Sequence, residues 1–450
     1  MTRDPHKKET TMHPLTRRHV LKLGLASGAL VAAAAATSPV QALVSIVVSG
    51  GNFTPLPIAI PDFGGSDPAF GQQIAQIVRD NLSRSGLFAP LAPDQMQGVT
   101  GDVSNPPDFA SWRGKNVDAL VMGTVERGGQ IQSSVRVWDT AAAQQVVGNS
   151  YNADPQSERR IAHIVSDAIY ASLAGESGYF DSQVAFIAES GPKANRKKQL
   201  AIMDQDGANV QVLSSGASLT LTPRLSRDYS MITYTSYEDD NPQVYVAQLG
   251  GKSRKLLNNA PMSFAPHFSP DGGTVAFSVS NGGVTNLYSM TVNGGKPVQL
   301  TNGAEIDTAP SYSPDGSRIV FESDRGGQPQ LYVMSAGGGG AQRISYGEGT
   351  YSTPVWSPKG DLIAYTRQSG GNFQIGTMKP DGSGERILVD SFHAEGPTFC
   401  PNGRVIMFFR DPGGDSGPGL WTVDIWGRNE QQIKMETYAS DPNWGALRTS

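Results

Sequence analysis

Apolar positions follow two rhythms in this chain. Between residues 43 and 175 a helical period alternates with strand-like runs, and from residue 176 onward only strand-like runs remain. Phe70, Ile74, Ile77, Val78 and Leu82 recur at helical spacing behind Asp67-Pro68, and Gly86 ends the run. Asp is a good N-cap there, and Pro gives up no hydrogen bond in a first turn. A second helix is expected from Asp154-Pro155, with Ile161, Ile164, Val165, Ala168, Ile169 and Leu173 on its apolar face. Strands are expected at Ile58 to Ile60, Val117 to Val125, Ile131 to Trp138 and Gln145 to Tyr151. Ile131, Ser133, Val135 and Val137 share one side of the third of these, while Asp118, Glu126 and Arg136 read as solvated strand positions. Two helices packed on one face of a small mixed sheet would bury both stripes.

The remainder of the chain repeats. Ala-Pro-His-Phe-Ser-Pro-Asp-Gly begins at Ala265, Ala-Pro-Ser-Tyr-Ser-Pro-Asp-Gly at Ala309 and Thr-Pro-Val-Trp-Ser-Pro-Lys-Gly at Thr353, with weaker copies at Thr222 and Gly396. The leading prolines, Pro223, Pro266, Pro310, Pro354 and Pro397, lie 43, 44, 44 and 43 residues apart, and Pro442 follows 45 later. A period of this length with only β signals indicates propeller blades. Each unit holds a Pro-Asp-Gly turn, where Pro fixes φ and Gly tolerates a positive one, and a second, Gly-rich hairpin. Val184 to Leu213 has the later part of a unit without its opening strand, and Asp441 to Gly445 has only the opening strand. Together they make one blade from distant parts of the chain, which seals the ring and removes free sheet edges. The expected architecture is an α+β N-terminal domain, residues 43–175, followed by an all-β six-bladed β-propeller, residues 176–450.

Charge and composition add an address. Arg17-Arg18 precedes an Ala- and Gly-rich apolar stretch from Leu23 to Ala36, and Val40 and Ala42 are small residues placed for cleavage after Ala42. This is the plan of a signal peptide, residues 1–42, of twin-arginine-like type. Those 42 residues hold six basic and two acidic residues of the chain's 36 and 41, so 30 and 39 remain, a net charge of -9. An acidic protein of the periplasm is expected, with nucleic acid excluded as a partner for want of basic charge. Cys400 is the only cysteine, so no internal disulfide can form.

Catalytic signatures fail on context. Gly414-Asp415-Ser416-Gly417 sits in a Gly/Pro-rich hairpin, and no Gly-x-Ser-x-Gly elbow or hydrolase domain accompanies the propeller. His163, His267 and His393 are far apart and show no ligand spacing, and Asp204-Gln-Asp-Gly reads as a hairpin turn. No catalytic residue, metal or cofactor is assigned.

Two segments suit recognition instead. The loops entering the opening strands border the channel and carry Met262, Ser263, Ala265, Asp307, Thr308, Tyr351, Ser352, His393 and Glu395. Residues 43–56 offer a β-prone run, Leu43, Val44, Ser45, Ile46, Val47 and Val48, before a Gly-Gly pair. That run can serve as an ordinary edge strand or detach and add itself to another protein as a strand.

The ordered combination resembles the TolB family, periplasmic propellers of the Tol-Pal system. Residues 45–63, Gly86-Leu-Phe, Asp118-Ala-Leu-Val and the repeated Ser-Pro-Asp-Gly blades carry the resemblance. It implies a non-enzymatic scaffold, itself monomeric. The lipoprotein Pal would dock at the channel mouth through the loop residues just named, giving peripheral association with the outer membrane. TolA would bind at the mature N-terminus, residues 43–48, and other Tol-Pal components would join in supporting outer-membrane integrity and constriction during division. Ala309 stands where some relatives have Glu. The alternative is an exported propeller enzyme, or a ligand-binding propeller, acting in the central channel.

Overall fold

A computed structural model describes residues 44–46, 54–258 and 260–448, all within one packed unit. The first part is a five-stranded sheet in the order β2-β1-β3-β4-β5. Its strands are β1 (Leu56–Ala59), β2 (Phe88–Pro90), β3 (Ala119–Glu126), β4 (Ile131–Asp139) and β5 (Gln144–Ala153). β1 runs parallel to β2 and β3, and β3, β4 and β5 are antiparallel. Helix α1 (Pro68–Arg84) starts where expected, with the Asp67 carboxylate accepting from the Phe70 N–H at 3.1 Å. It packs with α3 (Glu158–Ala174) over Val121, Val125 and Val135 in one apolar core.

Two expectations need correction here. The second long helix begins at Glu158 rather than at Pro155, because Asp154 closes a turn first. Its side chain accepts from the Gln156 N–H at 2.8 Å and its carbonyl from Ser157 at 2.9 Å. The buried face accordingly comprises Ile161, Val165, Ile169 and Leu173 together with His163, Ser166 and Tyr170, while Ile164 and Ala168 are half-buried. The sheet is also covered on its second face. A short helix α2 (Phe109–Arg113) and its buried Trp112 pack on Leu120, Met122 and Ala59. Burial on both sides is why β3 reads as an unbroken apolar run.

The second part is a ring of six four-stranded sheets. The sixth sheet is built as the sequence implies. Tyr438–Trp444 pairs antiparallel with Gln183–Ser190, placing Trp444 opposite Val184. Trp444 Nε1 donates to Ser182 Oγ at 2.9 Å, and its main-chain N–H to Thr398 Oγ1 of the neighbouring blade at 3.0 Å. Each innermost strand carries a bulge just before its proline, at Thr222, Ala265, Ala309, Thr353, Gly396 and Asp441, with φ of 48, 51, 50, 46, 64 and 49°. A left-handed backbone costs a β-branched residue most. Thr222 and Thr353 offset it through hydroxyl bonds to Thr235 and Thr366, at 2.9 and 2.8 Å. In the Ser-Pro-Asp-Gly turns the serine hydroxyl accepts a main-chain N–H, as Ser313 does from Arg318 at 3.0 Å. Buried Cys400 takes that place in the fifth blade, its sulfur accepting from Val405 at 3.2 Å.

The α/β part sits on the ring face where the innermost strands end. Glu176 binds Arg404 at 2.5 Å and Lys359 at 2.8 Å, Asn402 donates to the Ser177 carbonyl at 2.8 Å, and Asn429 to the Arg84 carbonyl at 2.8 Å. Among the described residues, no hydrogen bond or ion pair ties the α/β part to the opposite mouth, where those strands begin.

Candidate functional site

The open mouth concentrates apolar surface. Eight large apolar side chains are exposed among the described residues, and five of them, Leu219, Ile306, Tyr346, Phe392 and Tyr438, lie on the segments that enter the innermost strands. Phe392 and Tyr346 are 70% and 71% exposed. Exposed apolar side chains gathered on one face of a ring suit an interaction surface. The expected mouth residues included none of the five, because only two or three residues were taken near a proline, Met262 and Tyr351 among them. The recurrence of apolar side chains ahead of five of the six repeats was the available signal.

Strand alternation divides the expected mouth residues. Thr308, Ser352 and Glu395 are half-buried, each immediately before the bulge, and Ala265 is a half-buried bulge residue. Ser263, Asp307 and Tyr351, one step further back, are buried in the wall. Ser263 Oγ accepts from the Val244 N–H at 3.0 Å, Asp307 is held by Arg325 at 2.8 Å, and the Tyr351 hydroxyl donates to Glu385 at 2.7 Å. These three hold the mouth in shape from behind. Met262 is half-buried at the head of its strand. His393 lies 3.7 Å from Glu395 and 4.8 Å, ring to ring, from Phe373.

Inside the mouth the wall is acidic. Glu322 accepts the Thr353 N–H, and burial pushes its carboxyl up to about 7. Burial also raises Glu395 and Asp441, although Asp441 accepts from Thr222 at 3.3 Å. Desolvation disfavours the charged form of each, so a cationic group entering the mouth would relieve them.

The N-terminal run is described only at residues 44–46, outside any strand. Val44 N–H donates to Asp139 Oδ2 at 2.7 Å, at the end of β4, and Ile46 N–H to the Leu173 carbonyl at 2.7 Å, in the last turn of α3. Both side chains are half-buried and Ser45 is exposed. Leu43, Val47, Val48 and the cleavage residue Ala42 lie outside the described residues.

One cluster was hidden by sequence distance. His163 of α3 meets Asp204 and Asp206 of a propeller hairpin, their ligand atoms lying within 4.8 Å of one another. The surroundings do not suit a metal ion. Arg159 binds Asp206 at 2.6 Å and Arg84 lies 3.6 Å from it, so two cations already face the two carboxylates. Asn81 Oδ1 accepts from Gln205 at 3.1 Å, which leaves Asn81 Nδ2 to donate to His163 Nδ1 at 3.0 Å. His163 Nε2 is then the N–H, directed at Asp204 from 3.8 Å, and has no lone pair to offer. The cluster ties the α/β part to the ring.

Comparison with known proteins agrees with this architecture. Residues 170–448 match the TolB beta propeller domain and residues 44–146 the TolB amino-terminal domain. The crystal structure of TolB from Acinetobacter baumannii superposes with a TM-score of 0.78 at 26% identity, covering 87% of this chain and 97% of that one. An oligogalacturonate lyase from Vibrio parahaemolyticus is far looser, with a TM-score of 0.37 at 11% identity over 56% of this chain and 73% of that one, and has no bearing on function. No helix among the described residues is long and apolar enough to cross a membrane. A propeller match over more than half its length, joined to the matching amino-terminal domain, places this chain in the TolB family.

Proposed function

We propose that this chain is a periplasmic, non-enzymatic scaffold of the Tol-Pal system. The open mouth of the ring receives the lipoprotein Pal, and the mature N-terminus, residues 43–48, binds TolA by strand addition. Family membership implies the Tol-Pal role. The observation that carries the Pal assignment is the apolar collar of Ile306, Tyr346, Phe392 and Tyr438 around an acidic, half-buried wall, on the face that the α/β part leaves free. Aromatic anchors around a rigid opening are what protein recognition uses. The TolA assignment is supported by the hold on residues 44–46, one N–H bond to the Asp139 carboxylate and one to the Leu173 carbonyl beside the packing of Val44 and Ile46 on the core, with no strand pairing for a competing strand to break.

Capture of envelope proteins by the chain from residue 43, with and without residues 43–55, separates the two sites. Loss of TolA with retention of Pal supports both assignments. Equal capture of TolA by the two forms would remove the N-terminus from the account, and absence of Pal from both would remove the mouth.

A further inference from the structure

The covered end of the channel holds a cavity of about 870 Å³ at the junction with the α/β part. Arg160, Arg224, Arg227 and Arg448 face it against Asp228 and Asp271. Composition does not explain this excess, since the chain beyond residue 42 carries 30 basic and 39 acidic residues. Both aspartates are turned back onto their own hairpins: Asp228 accepts from Ser226 Oγ at 2.6 Å and Asp271 from Ser269 Oγ at 2.5 Å. Arg160 and Arg448 share Asp181, at 3.1 and 2.7 Å. Arg224 differs. Its described hydrogen bond is to the Pro223 carbonyl at 2.7 Å, and Asp441 attracts it electrostatically without closing to a salt bridge among the described residues.

The repeat shows what Arg224 replaces. Its equivalents, directly after each proline, are His267, Ser311, Val355, Thr398 and Asn443. Three of these accept a main-chain N–H from the next blade: Ser311 from Trp356 at 3.2 Å, Thr398 from Trp444 at 3.0 Å and Asn443 from Leu225 at 2.8 Å. Three of the six positions thus supply an acceptor, whereas the Val355 side chain has none and the Arg224 guanidinium, with donors only, cannot be one. The first blade lacks this inter-blade bond, and its position instead brings a fork of donors to the cavity lining, which Phe268 shares. His267 next to it is already engaged, with Nδ1 bonded to the Phe268 carbonyl at 2.9 Å and Nε2 to Ser311 Oγ at 3.3 Å. Burial and Arg224 lower it to about 4, so it adds no charge at neutral pH.

We propose that this end of the channel is an anion site, in which Arg224 holds the carboxylate or phosphate group of a small organic ligand. The guanidinium fork matches a two-oxygen face. The cavity is of the size that organic ligands fill and far exceeds one inorganic ion. The site lies at the opposite end of the channel from the proposed Pal surface and stands or falls separately from it.

Thermal melts and calorimetry on the chain from residue 43 test it with three probes at matched ionic strength: glucuronate, inorganic phosphate and uncharged glucose. Binding by glucuronate and not glucose is expected, with a raised melting temperature. Arg224→Gln should weaken it about tenfold or more, the worth of a charge-assisted hydrogen bond. Arg224→Lys should fall between the two, and Arg127→Gln, on an exposed pair with Glu158, should bind as the native chain does. Equal or tighter binding of phosphate would reduce the site to one for the oxyanion alone and overturn the organic ligand. Should Arg224→Gln not fold, the same order is read from Arg224→Lys. No binding by either anion, or equal binding by native and Arg224 variants, overturns the proposal.

Discussion

The two ends of the channel are made from the same six strands, yet they are finished differently. Where the strands end, polar groups are satisfied within the chain: Glu176 by Arg404 and Lys359, Asp206 by Arg159, the Trp444 indole by Ser182. Where they begin, Phe392, Tyr346 and Ile306 are exposed, and burial has raised the carboxyls of Glu322 and Glu395. Internal pairing accounts for the polar groups just named at the first end, the cavity at Arg224 apart, and exposed apolar surface supports the docking role proposed for the second.

Breaking the construction should therefore cost stability, and altering the interface should cost binding. The largest effect is expected from Trp444→Ala, which empties a buried site in the sealing strand and frees the Ser182 hydroxyl. A loss of about 3–5 kcal/mol in chemical denaturation is expected. Glu176→Ala strips two cations of their partner at the junction. About 1–2 kcal/mol is expected, with Pal binding unchanged. At the mouth, Thr308→Arg should weaken Pal capture in calorimetry without lowering the melting temperature, since Thr308 is half-buried and accepts one bond, from Ser278 at 3.2 Å.

Acidity sharpens the contrast further. Glu322 in the mouth rises from 4.5 to about 7, and Asp167 of α3, which accepts the Phe180 and Asp181 N–H groups at 2.7 and 2.8 Å, from 3.8 to about 7, both chiefly through burial. A carboxyl raised in the fold binds more protons there than in the unfolded chain. Its stabilisation is complete below the unfolded value and is lost as pH rises through the folded one. Urea melts should therefore show declining stability from about pH 4.5 to about pH 7, and Glu322→Gln should remove part of the decline. The smallest effect is expected from Ala309→Gly. Its φ of 50° suits glycine, so a gain of about 0.5–1 kcal/mol in the same melts would confirm the strained bulge.

Much of the ring was legible because each blade repeats its turn chemistry, and the halves of the sixth blade announced themselves by what each lacked. The α/β part was read less fully. Phe88–Pro90 is too short to show a period, and Trp112 carries its face of the sheet on a five-residue helix. In the mouth, Ser263, Asp307 and Tyr351 were grouped with their neighbours because alternation shows that successive residues face opposite ways without showing which way is outward. The approach of His163 to Asp204 and the setting of Arg224, near Asp441 but in no salt bridge among the described residues, depend on groups distant in sequence, so folding alone reveals them.

The docking role of the mouth is tested most directly by calorimetric titration of the chain from residue 43 with the periplasmic part of Pal, native against a Tyr346→Ser/Phe392→Ser variant. Both side chains are more than two-thirds exposed, so the variant should melt as the native chain does. The account predicts affinity reduced at least about tenfold, in keeping with the loss of aromatic anchors. Equal affinity in the two proteins, with the fold intact in both, would contradict it.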